Sequence, residues 1–176
     1  MKASCTTVSA NHLGLASTLA QTLTEKGFGP FFSTPCGILA PLCSALESKI
    51  VVHTIPREDN AIGIAAGTAM ANQRPVVLMQ NSGLGQSVNT IASLVVPYEI
   101  PMLLIVSLRG IAPDRTSENA AMGRLTEPLL SSFGIQFVHL EASQLAAQVN
   151  WAQQLIYEQC QSAAFLVPPS MFGWQT

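Results

Sequence analysis

Residues 75–87 of this 176-residue chain read Pro-Val-Val-Leu-Met-Gln-Asn-Ser-Gly-Leu-Gly-Gln-Ser. The first five form an unbroken apolar run, which is typical of a strand buried on both faces in the middle of a parallel sheet. A polar segment with two glycines follows at once, and we predict that a helix begins near Gly85. A second apolar run, residues 102–107, predicts another central strand. Together these runs indicate a parallel sheet that is covered on both sides.

Strand and helix periodicity alternate along the rest of the chain. We predict six strands, at residues 28–33, 50–55, 75–79, 102–107, 135–140 and 165–167. We predict helices at residues 9–26, 57–71, 85–95, 126–133 and 143–161, and one more that carries Ile38, Leu39, Leu42 and Leu46. This rhythm predicts an α/β fold, a three-layer α/β/α sandwich with a mostly parallel six-stranded sheet. Residues 1–176 are predicted to form a single domain.

The composition is unusually apolar, with 48% hydrophobic and 10% charged residues, where charged residues usually make up about a quarter. A membrane does not account for this, because the apolar runs are far shorter than the ~20 residues that a spanning helix needs. We therefore expect part of the surface to be covered by self-association through an apolar face.

Charge and cysteine patterns exclude several classes of protein. The net charge is −2 and no segment concentrates Lys or Arg, so neither nucleic-acid binding nor a polybasic membrane patch is predicted. The four cysteines lack metal-ligand spacing and the N-terminus lacks the pattern of a secretory signal, which predicts a reduced, cytoplasmic protein. No catalytic or metal role is assigned to the three histidines, His12, His53 and His139.

Ligands of open α/β sheets bind beyond the carboxyl ends of the strands. Four predicted loops lie there, at residues 34–37, 56–60, 80–86 and 109–123, and they hold most of the informative polar residues. Cys36 in the first loop is read as a small buried residue rather than a reactive thiol.

Each of the other three loops admits a structural and a functional reading. Glu58 opens a helix rich in Gly and Ala, so it either complements the helix dipole or faces a ligand that approaches closely. The 80–86 segment is either an anion-binding turn or an ordinary helix cap. Arg109 and Arg115 either bind an anionic substrate or lie on the surface.

Three motifs in this order resemble the pyrimidine-binding domain of the sulfopyruvate and phosphonopyruvate decarboxylases, which depend on thiamine diphosphate. They are residues 56–61 (Pro-Arg-Glu-Asp-Asn-Ala), 80–85 (Gln-Asn-Ser-Gly-Leu-Gly) and 107–110 (Ser-Leu-Arg-Gly). The resemblance extends from residue 34 to residue 126, and residues 122–126 look most like the separate α subunits of sulfopyruvate decarboxylase.

The resemblance implies the roles of individual residues. Glu58 is the catalytic glutamate that bonds N1′ of the cofactor's aminopyrimidine ring. The implied cofactor-binding residues are Thr34, Pro35, Cys36, Glu58, Asn81, Ser82 and Gly83, and the implied substrate-binding residues are Asn81, Arg109 and Arg115. Residues 116–123 depart from the phosphonopyruvate enzymes, so no histidine-based step of those enzymes carries over.

The resemblance also implies a partner. Relatives hold Mg²⁺ and the diphosphate with a Gly-Asp-Gly motif, which the 176 residues do not contain. We therefore expect a separate β subunit to carry that motif, and we expect the complex to decarboxylate 3-sulfopyruvate or 3-phosphonopyruvate to the corresponding aldehyde. Two alternatives remain at this point, a non-catalytic partner-binding module and a flavin or nucleotide protein of flavodoxin-like fold.

Overall fold

The computed structural model describes residues 10–175, which form an α/β/α sandwich around one parallel sheet. The strands are β1 (Phe31–Ser33), β2 (Val52–Thr54), β3 (Val76–Gln80), β4 (Leu103–Ser107), β5 (Gln136–His139) and β6 (Ala163–Val167). The helices are α1 (Ala10–Glu25), α2 (Ala40–Glu47), α3 (Glu58–Met70), α4 (Asn81–Gln86), α5 (Val88–Thr90), α6 (Ala120–Ser132) and α7 (Leu145–Gln153). The π-helical turns Ile91–Val95 and Gln154–Glu158 extend α5 and α7.

The strand order is β2-β1-β3-β4-β6-β5, and every pairing is parallel. The predicted fold class is therefore confirmed. β3 and β4 lie at the centre, and all residues of β4 are buried, as are the first four of β3. Their unbroken apolar sequence follows from this, since neither face of a central parallel strand meets water.

Two apolar cores lie on opposite faces of the sheet. One packs α1, α2 and α7 against alternate strand residues such as Phe31 and Phe165. The other packs α3, α6 and the π-helical turn Ile91–Val95 against the residues that point the opposite way, such as Phe32 and Leu166. This alternation is the period-2 pattern of a strand, and it gives the sheet a helical layer on each side.

The direction of the strand order reverses between β1 and β3. From β1 the chain passes through α2 on one face to β2, and then through α3 on the other face to β3. A crevice forms at such a reversal, beyond the carboxyl ends of the two strands, because the connections that follow them lead away in opposite directions. Three of the four predicted loops, 34–37, 56–60 and 80–86, border this crevice.

Several predicted boundaries were wrong. The helix after β3 begins at Asn81 rather than near Gly85, and α6 begins at Ala120 rather than at residue 126. β1 begins at Phe31 rather than at residue 28, since Pro30 lacks the N–H that a ladder needs and Gly29 forms an antiparallel bridge with Arg74 instead. The predicted start of α1 at residue 9 lies outside the described residues.

None of the helices within residues 10–175 combines the length and the apolarity that a membrane span requires.

Candidate active site

Glu58 is the first residue of α3 and lies half-buried at the crevice. Arg57 before it is extended, with φ −142° and ψ 138°, so the helix begins abruptly after the β2 loop. The start of a helix leaves N–H groups without intrahelical partners, which favours a carboxylate at this position. Within the described residues the Glu58 side chain forms no capping hydrogen bond, and it contacts a neighbouring helix instead.

The Glu58 side chain packs directly on the backbone of Gly83 in α4. A Cβ atom on Gly83 would lie 2.6 Å from Glu58 Oε1 and nearer still to its Cγ. Any other residue at position 83 would therefore displace the carboxyl group. Gly85, two residues further along α4, leaves room for Met122 in the same way. The Met122 Cε would lie 2.9 Å from a Cβ added at Gly85. The two glycines, which favour a turn in the sequence, are thus used for close packing inside a helix.

The loop that follows β1 forms the opposite side of the crevice. Thr34 is buried, and its Oγ1 has no hydrogen-bond partner among residues 10–175. Cys36 Sγ lies 3.0 Å from Ser107 Oγ at the end of β4, which ties the loop to the centre of the sheet. Between this loop and α2 lies a 450 Å³ cavity whose lining includes Pro35, Cys36 and Cys43. Burial raises the pKa of the Cys43 thiol, which keeps that thiol protonated.

Asn81 is fully buried and holds the β4–α6 connection in place. Its Nδ2 donates to Arg109 O at 2.9 Å and to Thr126 Oγ1 at 3.1 Å. Its Oδ1 accepts the Arg109 N–H at 3.3 Å. The side chain is therefore engaged inside the protein, and the substrate contact predicted for Asn81 stays a prediction. Ser82 is exposed, and its Oγ accepts a hydrogen bond from Gln80 Nε2 at 2.8 Å.

The two predicted anion-binding arginines differ in their surroundings. Arg109 Nε donates to Asp114 Oδ2 at 2.6 Å, and its guanidinium carbon lies 4.7 Å from the centroid of the Trp174 ring. Arg115 is exposed in the loop that follows. The charge of Arg109 is thus matched within the chain, whereas Arg115 presents its side chain to solvent.

Asp114 and Trp174 were not predicted from the sequence. The Asp114 side chain is buried, and the Arg109 guanidinium, with the hydroxyl of Thr116 and two backbone N–H groups, holds the pKa of this carboxyl well below its usual range. The segment Asp114-Arg115-Thr116 carries a turn signal, since aspartate often accepts from the backbone two residues on. Nothing local distinguishes Trp174, which reaches both Arg109 and the neighbourhood of Gly37.

The residues at the crevice fit the aminopyrimidine ring that the resemblance implies. The crevice offers the carboxyl group of Glu58, a buried and unmatched hydroxyl on Thr34, and a glycine at position 83 that permits close approach. An aminopyrimidine ring has a nitrogen that a carboxyl group can bond and an amino group that a hydroxyl can accept from. Among the described residues, no group of three or more His, Cys, Asp or Glu side chains is placed to hold a metal ion.

Glu58 opens a helix beside the reversal point of a parallel sheet, where ligands of such sheets bind, so the fold suits a ligand-binding domain, and comparison with protein families identifies which kind. The model described as "Thiamine pyrophosphate enzyme, N-terminal TPP binding domain" matches residues 14–124, and the chain belongs to this family. The family resemblance stated from the three motifs is confirmed.

Two relatives show which enzymes of this family the chain resembles. The chain is 43% identical over 100 residues to the sulfopyruvate decarboxylase subunit alpha of Methanocaldococcus jannaschii, a match that covers 56% of this chain and 59% of that protein. It is 32% identical over 118 residues to the phosphonopyruvate decarboxylase of Streptomyces viridochromogenes, covering 65% of this chain and 30% of that protein. The chain thus spans about 59% of the length of the first relative.

A solved structure supports the fold alone. The 2-oxoglutarate:ferredoxin oxidoreductase of Magnetococcus marinus superposes with a TM-score of 0.66 at 10% sequence identity. The superposition covers 89% of this chain and 29% of that chain.

Proposed function

We propose that this chain is the α subunit of a thiamine-diphosphate-dependent decarboxylase that converts 3-sulfopyruvate to sulfoacetaldehyde and CO₂. The observation that carries the proposal is the placement of Glu58 against Gly83 at the sheet reversal, in a chain that belongs to the TPP-binding family. The 43% identity to a sulfopyruvate decarboxylase α subunit supports the substrate, and the lower identity to a phosphonopyruvate enzyme makes 3-phosphonopyruvate the alternative.

The chemistry that thiamine diphosphate supplies when bound is an electron sink for the bond that breaks between the carboxylate and the 2-oxo carbon. Glu58 would share a proton with N1′ of the aminopyrimidine ring, which would favour the imino tautomer, whose nitrogen can act as a base. Gly83 leaves room for the Glu58 carboxyl group, and the Thr34 hydroxyl accepts from or donates to the ring edge. Pro35 and Cys36 complete that wall of the crevice, and Ser82 lies at its rim.

The substrate carries a carboxylate and a second anion, and a guanidinium group binds such anions through paired donors. Of the two predicted arginines, the contacts favour Arg115, since Arg109 already pairs with Asp114. Arg109 then has no direct contact with the substrate, and its ion pair with Asp114 stabilises the loop that carries Arg115.

A second subunit completes the site in this proposal. The name of the relative, a subunit alpha, supports a heteromeric enzyme. We assign the diphosphate site and Mg²⁺ to a β subunit with a Gly-Asp-Gly motif, and we assign residues 1–176 to one pyrimidine-binding domain. The proposal includes self-association through the apolar face and a cytoplasmic location, which the free thiols of Cys36, Cys43 and Cys160 support.

Reconstitution with a candidate β subunit tests the proposal. The complex is expected to release CO₂ from 3-sulfopyruvate faster than from 3-phosphonopyruvate and much faster than from pyruvate, whereas the isolated chain binds thiamine diphosphate weakly. In the complex, Glu58→Gln is expected to lower kcat by at least about 100-fold, since an amide cannot exchange the proton.

Asp59→Asn is the matched control. Asp59 neighbours Glu58 but forms an exposed ion pair with Arg57 at 2.8 Å, so its loss is expected to change kcat by less than threefold. If Glu58→Gln kept activity within a few-fold of wild type, the chain would be a non-catalytic binding module instead.

A further inference from the structure

Asp114 is the most heavily hydrogen-bonded side chain near the candidate site, and neither the cofactor chemistry nor the family motifs give it a role. It lies in the β4–α6 loop, defined as residues 108–119. Its Oδ2 accepts from Arg109 Nε at 2.6 Å, Gly110 N at 2.9 Å and Asn119 Nδ2 at 3.1 Å. Its Oδ1 accepts from Thr116 N at 3.0 Å and Thr116 Oγ1 at 2.6 Å. This buried carboxylate accepts hydrogen bonds from five donors. Any neutral side chain in its place would offer fewer acceptor sites and leave some of these donors unpaired.

The two ends of the β4–α6 loop touch each other through their backbones. Gly110 has φ +79°, and a Cβ there would collide with the carbonyl group of Asn119. A Cβ on Gly123 would likewise collide with Gly110 O and lie 3.1 Å from Arg109 O. The loop is therefore a closed ring, and Asp114 fills its centre by bonding residues from both ends.

This ring is joined to the part of the crevice that contains Glu58. Asn81 bonds both the N–H and the carbonyl group of Arg109, and two residues further along α4 lies Gly83, on which Glu58 packs. On the far side the Arg109 guanidinium stacks on Trp174. A loop fixed at these points cannot move without disturbing the edge of the crevice.

Arg115 occupies a special position in the ring. The Thr116 N–H donates back to Asp114 Oδ1, so the backbone of Arg115 is enclosed in a hydrogen-bonded Asx turn while its side chain is exposed. The direction in which the Arg115 side chain leaves the loop is thus set by the carboxylate of Asp114.

We propose that Asp114 is a positioning residue that fixes the β4–α6 loop so that Arg115 meets the anionic group of the substrate. The contact between Arg115 and the substrate rests on the proposed function, whereas the fixing of the loop by Asp114 does not. The Arg109 guanidinium connects Asp114 to Trp174 through an ion pair and a cation–π contact. The positive charge that this loop can offer to an anion therefore comes from Arg115.

Hydrogen–deuterium exchange on the isolated full chain tests the structural part. Asp114→Asn keeps one acceptor oxygen and loses the other, so the amides of Gly110 and Thr116 are expected to exchange at least about tenfold faster, with β3 and β4 unchanged. Thr116→Val removes the hydroxyl that donates to Asp114 Oδ1 and accepts from Arg109 Nη2 at 3.4 Å but leaves the carboxylate in place, which gives a second and milder variant in case Asp114→Asn does not fold. Glu118→Gln, an exposed acid in the same loop, is the control and should leave the exchange unchanged. Unchanged exchange in both Asp114→Asn and Thr116→Val would overturn the proposal.

A double-mutant cycle in the reconstituted complex tests the link to Arg115. Asp114→Asn and Arg115→Gln are each expected to raise KM for 3-sulfopyruvate about tenfold while kcat stays within threefold, and the double variant should be no worse than Arg115→Gln alone. Arg115→Lys should recover part of the loss. Additive effects on KM, or a KM unaffected by Asp114→Asn despite faster exchange, would show that Asp114 does not act through Arg115.

The two failures are distinguishable. If the wild-type complex did not turn over 3-sulfopyruvate, the proposed function would fail. In that case the exchange measurement would still decide whether Asp114 fixes the loop, and the link to Arg115 would be overturned together with the substrate.

Discussion

The carboxyl group of Glu58 fills the space that a Cβ atom on Gly83 would occupy. The two residues lie on different helices that follow different strands, and their contact brings α3 and α4 together at the sheet reversal. This relationship makes the position of the carboxyl group depend on the absence of a side chain at residue 83.

Gly83→Ala is therefore expected to displace the Glu58 carboxyl group and to lower kcat of the reconstituted complex by about 100-fold, since misplacement by about 1 Å suffices for that loss. Steady-state kinetics measure the effect. Gly14→Ala is the control, because no described atom lies within 4 Å of a Cβ there, and it should leave kcat unchanged. A fully active Gly83→Ala complex would show that the contact does not position the catalytic group.

The outer face of α3 is expected to take part in the proposed self-association. Gly63 and Gly67 lie one turn apart, no described atom lies within 4 Å of a Cβ at either position, and Ile64 beside them is 44% exposed. Gly63→Leu should leave the isolated fold intact and weaken association at least about tenfold, as judged by sedimentation. Gly14→Leu on α1 is the matched control. An unchanged mass distribution in the Gly63 variant would place the interface elsewhere.

The stability of the chain is expected to fall in acid partly through Asp114. The pKa of this carboxyl is lower in the folded state than in the unfolded chain, so its stabilising effect is complete above about pH 4 and is lost as the pH falls below that value. Urea unfolding at pH 6, 4 and 3 should therefore show a smaller acid-induced loss in Asp114→Asn than in wild type. The difference for one group cannot exceed about 1.4 kcal/mol per pH unit. Equal losses in the two proteins would mean that Asp114 does not titrate in this way.

Trp174 is expected to stabilise the fold through Arg109. A guanidinium 4.7 Å from an indole centroid is worth about 0.5–1 kcal/mol at a partly exposed site, so Trp174→Leu should lower the free energy of unfolding by at least that amount. Trp174→Phe keeps a weaker aromatic face and should give an intermediate value. Thermal or urea unfolding measures both, and equal stability of the three proteins would contradict the contact.

The sequence predicts those parts of the fold that depend on local patterns. β3 and β4 are recognisable because each is an unbroken apolar run, and Glu58 is recognisable because it opens a Gly/Ala helix directly after a strand. The family resemblance adds the role of Glu58, which the pattern of apolar and polar residues does not indicate.

The remaining features depend on contacts between distant residues. The sequence predicts the start of α4 four residues too late because Gly83 and Gly85 favour a turn locally, whereas their packing on Glu58 and Met122 favours a helix. Asp114 looks like an ordinary loop residue until its donors are brought around it. Trp174 meets Arg109 only once β4 and β6 are paired.

β1 lies between β2 and β3, although it precedes both along the chain. Neither of its edges can be hydrogen-bonded until residues 52–54 and 76–80 have left the ribosome, and β3 in turn requires β4 at residues 103–107. A nascent chain that ends before residue 107 therefore exposes the edge of an apolar strand, which is the kind of surface that aggregates. The contact of Glu58 with Gly83 consequently forms on a sheet that is completed late in synthesis, and chaperones that shield unpaired strand edges should bind this chain most strongly before β4 emerges.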